Sequence, residues 1–207
     1  DALDQGDCWV EYADLLNRAN GLLVMDCLDS RDRIDKHMDS LIDENALTCY
    51  ALDSRLLVAK PAIRCMEEDL ARVFAEGRKS NPHFGDPNTL VEVASEIDAE
   101  LNGKQTAAVA TAGKHLISLI SGAAGSGKTR VISTITKLCE SHNLKIVLCA
   151  PTGKAAKRIE ESTGRNASTI HRLLGFDGKT YARNAHNPIS ADVVTVDEAS
   201  MIDVALA

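Results

Sequence analysis

The sequence predicts an α/β domain built on a parallel sheet, preceded by a small α-helical domain. Three observations carry that expectation. Short apolar runs at residues 116–120, 145–150 and 192–196 read as buried strands, and the first two lead into turns and then helical spacing. The first run meets Gly122-Ala-Ala-Gly-Ser-Gly-Lys-Thr129, which fills the pattern G-x-x-x-x-G-K-[ST] at every specified position. Residues ahead of Glu76, in contrast, show helical periodicity and no recognisable chemistry.

The glycine-rich stretch sets the expected chemistry. Gly122, Ala123, Ala124, Gly125, Ser126 and Gly127 form a turn whose backbone N–H groups face phosphate oxygens at the positive end of the next helix. Lys128 reaches the β- and γ-phosphates, and the Thr129 hydroxyl is placed to ligate Mg²⁺. Arg130 closes the nucleotide-binding stretch. Behind it Val131, Ile132, Ile135, Leu138 and Cys139 recur at helical spacing. Strand, glycine turn and helix together predict a P-loop that binds ATP with Mg²⁺.

Bulk composition narrows the class. The 207 residues are 44% apolar and 26% charged, an ordinary soluble globular balance. No apolar run approaches the roughly 20 residues of a membrane span, so no membrane partner is expected. Cys8, Cys27, Cys49, Cys65, Cys139 and Cys149 are scattered without a C-x-x-C pair. Reduced thiols in a cytoplasmic protein are therefore expected over zinc or a disulfide framework. A net charge of −7 argues against bulk electrostatic binding of nucleic acid, while leaving room for a local basic face.

In chain order, residues 6–23 read as a helix with Leu15, Leu16, Ala19, Leu22 and Leu23 on its apolar face. Ser30 is expected to cap a second helix carrying Ile34, Met38, Leu41 and Ile42. Pro61 begins or kinks a third, with Ile63, Met66, Leu70, Val73 and Phe74. Residues 76–88 are rich in Gly, Pro and Asn and mark the boundary between a helical domain at 1–80 and a nucleotide domain at 89–207. Thr89 and Glu92 form a capping box for the next helix. The helix after it contains Gln105 and is expected to end at Gly113. A glutamine amide there is either solvated or reads the adenine edge, donating and accepting one bond each.

The second strand ends in Pro151-Thr152-Gly-Lys154, a basic, hydroxyl-bearing turn suited to phosphate-backbone contacts, against the alternative of a solvated helix face. Residues 167–174 form a short capped helix whose His171 is a core histidine, a backbone contact or a substrate contact. The third strand ends in Asp197-Glu198. Asp197 would hold the Mg²⁺ shell and Glu198 would polarise the attacking water.

In combination these segments resemble the RecD-like DNA helicases of superfamily 1, which include the alpha chain of exodeoxyribonuclease V and its free-standing relatives. The resemblance rests on Leu101-Asn-x-x-Gln105, Ser121-Gly-Ala-Ala-Gly-Ser-Gly-Lys-Thr129 and Ala150-Pro-Thr-Gly-Lys-Ala-Ala156. It continues through Ser168-Thr-Ile-His-Arg-Leu-Leu174, Asn187-Pro188 and Val196-Asp-Glu-Ala-Ser-Met-Ile-Asp203, and covers residue 89 to the end. It implies a RecA-like motor domain and ATP-driven 5′ to 3′ translocation on single-stranded DNA in recombination or repair. It also implies an adenine contact from Gln105, with Thr152, Lys154 and His171 in segments that touch the strand. Nuclease and helicase subunits of an exodeoxyribonuclease complex are implied partners. Two departures stand out. Ala124 occupies a loop position where many members carry Pro, and the chain stops four residues after Asp203. The second RecA-like domain and the arginine that completes the ATP site are thus absent, so the chain is expected to be the front part of a motor with little activity of its own. The rivals are another P-loop DNA motor, such as a conjugative relaxase-helicase, and a nucleotide-dependent interaction module. The segments at 151–158 and 168–174 argue against the module.

Overall fold

The computed structural model describes residues 8–23, 29–79, 84, 87–123 and 125–207, without the side chains of residues 87 and 88. Gly6, Cys27 and Ala124 lie outside the described residues, as do 80–83 and 85–86 of the expected boundary loop. The chain divides into two compact units. One runs to Val73 and includes Asp203–Ala207; the other runs from Phe74 to Ile202.

In the first unit β1 (Val10–Glu11) runs into α1 (Tyr12–Leu23), followed by α2 (Ser30–Asp43), β2 (Thr48–Leu52), β3 (Arg55–Ala59) and the start of α3 (Pro61–Gly77). Leu16 of α1 packs with Ile34 and Met38 of α2, the apolar faces that the periodicity predicts. The three strands form an antiparallel sheet in the order β1-β3-β2. A purely helical reading of this region is therefore corrected to helix and sheet. The physical reason is a two-residue turn at Asp53, whose φ of 53° is a left-handed value that Asp tolerates. It pairs Leu52 with Arg55 and sets the register back to Thr48 and Ala59. Ser30 is likewise not a cap. It is the first residue of α2, and its buried hydroxyl donates to Asn20 Oδ1 of α1 at 2.9 Å.

The second unit contains α4 (Pro87–Ile97), α5 (Gly103–Lys114), α6 (Lys128–Ser141), β4 (Ile146–Ala150), α7 (Gly153–Thr163), β5 (Ala167–Thr169), α8 (Ile170–Leu173) and β6 (Val193–Val196). α4 starts at Pro87, two residues ahead of Thr89, because proline suits the first helical turn. α5 runs through Gly113 instead of ending there. Gly113 is buried, and a Cβ on it would stand 2.6 Å from Leu90 Cδ1, so the glycine lets α5 approach α4 closely. One core joins Leu90 and Ala94 of α4, Val109 and Ala110 of α5, and Val131, Ile135, Leu138 and Cys139 of α6. A second joins Ile132 of α6 to Leu148 and Ala150 of β4 and Ala155, Ala156 and Ile159 of α7.

The sheet is parallel in the order β5-β4-β6, with Ala150 opposite Thr169 and Cys149 opposite Val196. Residues 116–120 do not join it, against expectation. Their first two amides go elsewhere: Leu116 N–H donates to Lys79 O at 3.2 Å and Ile117 N–H to Gly77 O at 3.0 Å. Leu119 is 84% exposed, so the run is not buried as a central strand would be.

Candidate nucleotide site

Parallel register gathers the candidate residues of three strands at one edge. β4 runs into Pro151 and Thr152, β5 into α8 with His171, and β6 into Asp197 and Glu198. The carboxyl edge of a parallel sheet is where ligands of open α/β folds bind. Asp197 N–H donates to Cys149 O at 3.0 Å, which extends the β4–β6 ladder by one bond and fixes this carboxylate beside β4. Glu198 follows at φ 54°, turning the chain into a short 3₁₀ segment, Ala199–Met201, and its N–H donates to Asp197 Oδ1 at 2.9 Å. Glu198 is exposed and Asp197 half-buried.

The glycine turn forms the second part of the site. Gly127 is the N-cap of α6 at φ 84°, and Gly125 has φ 76°, both left-handed values that explain glycine here. Ser126 N–H donates to Ala123 O at 3.2 Å and closes the turn. Lys128 folds back over the loop, its Nζ 2.7 Å from Gly122 O and 3.1 Å from Ala123 O. The ammonium thus stands at the mouth of the loop, where a phosphate would meet it. A Cβ on Gly122 would lie 2.5 Å from Ser126 Oγ, so the Ser126 hydroxyl packs closely against this glycine.

Beside the loop is a cavity of about 410 Å³ lined by Gln105, Gly122, Ser126 and Lys128 together with Asn102, Lys104 and Ile120. Its size is that of a small-molecule site. It unites four of the expected nucleotide-binding residues. Thr129, Arg130, Asp197 and Glu198 do not line it. Thr129 is exposed in the first turn of α6. Arg130 turns to carboxylates: its Nε donates to Asp98 Oδ2 and its Nη2 to Asp98 Oδ1 and Glu100 Oε2, each at 2.6 Å. That bidentate contact holds the Asp98 carboxyl below the usual carboxylate range.

Gln105 sits in a capping box. Asn102 Oδ1 accepts from Lys104 N–H at 3.1 Å and Gln105 N–H at 3.0 Å, and Asn102 N–H donates back to Gln105 Oε1 at 2.9 Å. The other end of the amide, Nε2, donates to Ser126 O at 3.0 Å. One acceptor position and one donor hydrogen of the amide are therefore taken by the protein. The sequence places Asn102 in a motif without giving it a role, and singles out neither Asp98 nor Lys104. The Asn102-x-x-Gln105 spacing is a capping-box signature that could have found the first. Nothing in the sequence links Asp98 to Arg130, 32 positions on.

Of the candidate DNA contacts, Thr152 caps α7, its hydroxyl accepting from Ala155 N–H at 3.2 Å. Pro151 is half-buried beside it and Lys154 is exposed in the first turn. His171 is half-buried against aromatic rings, its centroid 5.4 Å from Phe176 and 6.2 Å from Tyr181. Among the described residues no cluster of three or more His, Cys, Asp or Glu forms a metal cage, and no helix is long and apolar enough to cross a membrane. A divalent cation in a phosphate site needs only one or two protein oxygens beside the phosphates, and the Thr129 hydroxyl and Asp197 carboxylate are oxygens of that kind.

The comparisons with known proteins point the same way. A family model described as an AAA domain matches residues 105–207. The chain is 35% identical over 146 residues to the ATP-dependent RecD2 DNA helicase of Deinococcus radiodurans, which covers 70% of this chain and 20% of that protein. It is 40% identical over 126 residues to the RecBCD enzyme subunit RecD of Haemophilus influenzae, covering 48% of this chain and 20% of that one. To the ATP-dependent DNA helicase dda of phage T4 it is 35% identical over 98 residues, covering 44% and 22%. The chain spans about a fifth of the length of these relatives. Residues 105–207 thus belong to the AAA-domain family, and the chain is similar to RecD-like helicases over a fifth of their length.

Proposed function

We propose that this chain is the ATP-binding part of a RecD-like motor that moves 5′ to 3′ on single-stranded DNA in recombination or repair. The reading is supported above all by the Lys128 ammonium lying across the mouth of a complete glycine loop, in a cavity of nucleotide size. Loop amides from residues 122–127 and Lys128 hold the β- and γ-phosphates. Thr129 and Asp197 hold Mg²⁺, which neutralises phosphate charge when bound. Glu198 accepts the proton of the attacking water. The relatives named as ATP-dependent DNA helicases support extending DNA binding to this chain, with Pro151, Thr152, Lys154 and His171 on the sheet edge as the contacts. Residues 1–80 form a domain distinct from the nucleotide domain at 89–207, and subunits of an exodeoxyribonuclease complex are the partners the RecD relatives suggest.

The test uses a protein that carries this chain and hydrolyses ATP on DNA. Glu198→Gln should leave ATP binding intact and lower DNA-stimulated hydrolysis about 10²- to 10⁴-fold, the range of general-base catalysis. Wild-type turnover by that variant would remove Glu198 from the mechanism.

A further inference from the structure

We propose that the groove between the three-stranded sheet of the first unit and α3 docks a segment of a partner protein in which a large apolar side chain is flanked by Lys or Arg. Strand register sets an apolar floor. Leu57 of β3 stands opposite Tyr50 of β2 and Glu11 of β1, so all three share one sheet face, and Leu52 joins them two residues on from Tyr50. Trp9 meets Tyr50 edge to face, their ring centroids 6.2 Å apart. One face of α3 forms the wall, with Arg64, Glu67 and Glu68 at helical spacing. Between floor and wall lies a cavity of about 360 Å³. Two hydrogen bonds brace it: Trp9 Nε1 donates to Glu67 Oε2 at 2.6 Å, and Arg64 Nη1 donates to Thr48 Oγ1 at 3.2 Å. The groove is therefore formed before anything enters it, and binding need not order it. Even so, Tyr50 is 53% exposed and Leu52 39%. Trp, Tyr and Arg are the residue types that carry most binding energy at protein interfaces, and one of each converges here.

Charge selects the occupant. Residues 1–73 carry 16 acidic and 8 basic side chains, a net −8, whereas the rest of the chain stands at +1. At the groove, Glu11, Glu67 and Glu68 outnumber the one cation, Arg64, which Glu68 already holds at 2.7 Å. An apolar floor with an acidic rim attracts a cationic segment and repels the phosphates of nucleic acid. It also disfavours a symmetric second copy, since a two-fold contact would set two acidic rims against each other.

Trp9 is the one tryptophan of the chain, so its fluorescence reports this groove. The probe is the capped peptide Lys-Lys-Leu-Phe-Lys-Lys, titrated into the 207-residue chain. One control peptide has Glu in place of every Lys, and another has Ser in place of the Leu-Phe pair. The first peptide should shift Trp9 emission to shorter wavelength in a saturable titration, and each control should bind at least about 10-fold more weakly. Leu52→Ser and Glu68→Gln, both at exposed positions, should each weaken the first peptide about 5- to 10-fold, with thermal melts confirming the fold. Equal binding of the lysine and glutamate peptides would overturn the proposal. So would calorimetric binding that leaves Trp9 emission unmoved or survives Leu52→Ser, because the peptide would then coat acidic surface elsewhere. No binding of any peptide would overturn it as well. A shift on concentrating the protein alone, or on adding a single-stranded oligonucleotide, would assign the groove to a second copy or to nucleic acid and overturn it likewise.

Discussion

Cys139 and Cys149 show how far single side chains follow their surroundings. Cys139 lies in the core between α4, α5 and α6, and Cys149 lies on β4; both are almost wholly covered. Burial disfavours the thiolate and pushes both thiols up to about 11. The neutral thiol is then the folded form throughout the physiological range. Its contribution to stability is complete below the unfolded value of about 8.5 and is lost as pH rises towards 11. At pH 8 only about one in a thousand of these thiols is ionised. Iodoacetamide followed by peptide mass spectrometry should modify exposed Cys65 in the native protein and spare Cys139 and Cys149 until denaturant is added. Rapid native labelling of Cys139 would mean that the α4–α5–α6 core is open. Arg130 is the residue whose surroundings the sequence hid most completely. As the neighbour of Thr129 it reads as part of the nucleotide site, yet two carboxylates from the α4–α5 connector take its guanidinium.

Elements carry the packing, and their legibility followed their periodicity. The five apolar positions read along α6 are all buried in the structure, because a 14-residue amphipathic helix repeats its signal over four turns. Leu138, 1% exposed among residues of three helices, is the test position. Leu138→Ala should cost about 2–5 kcal/mol, read as a lower denaturation midpoint at unchanged m-value. Gly113→Ala should cost about 1–3 kcal/mol, since the new methyl would meet the buried Leu90 side chain at 2.6 Å. An unchanged midpoint for both would contradict the packing of α4, α5 and α6. The β2–β3 hairpin was not legible in the same way. Its strands bury only Val58 and Ala59 and show little alternation, and its turn is a single Asp-Ser pair. The run at 116–120 misled in the opposite direction. Its apolar composition reads as a strand, but backbone bonds to Lys79 and Gly77 hold it off the sheet.

At the scale of the whole molecule, the second unit sets a phosphate loop on helices and a set of candidate contacts on the edge of a parallel sheet. The net charge of −7 means that any DNA affinity must come from local cations such as Lys154. Lys154→Ala should weaken single-strand binding alike for all base sequences and reduce the salt slope by about 0.7, one phosphate contact. A loss confined to particular sequences would make Lys154 a base contact instead. In the proposed function Lys128 and the glycine loop bind the phosphates of ATP. Calorimetric titration of Mg·ATP into the wild-type chain and Lys128→Ala measures that binding. Loss of a charged hydrogen-bond donor to phosphate predicts affinity about 10- to 100-fold weaker in the variant, with both proteins melting at similar temperatures. Equal affinities in two folded proteins would contradict it.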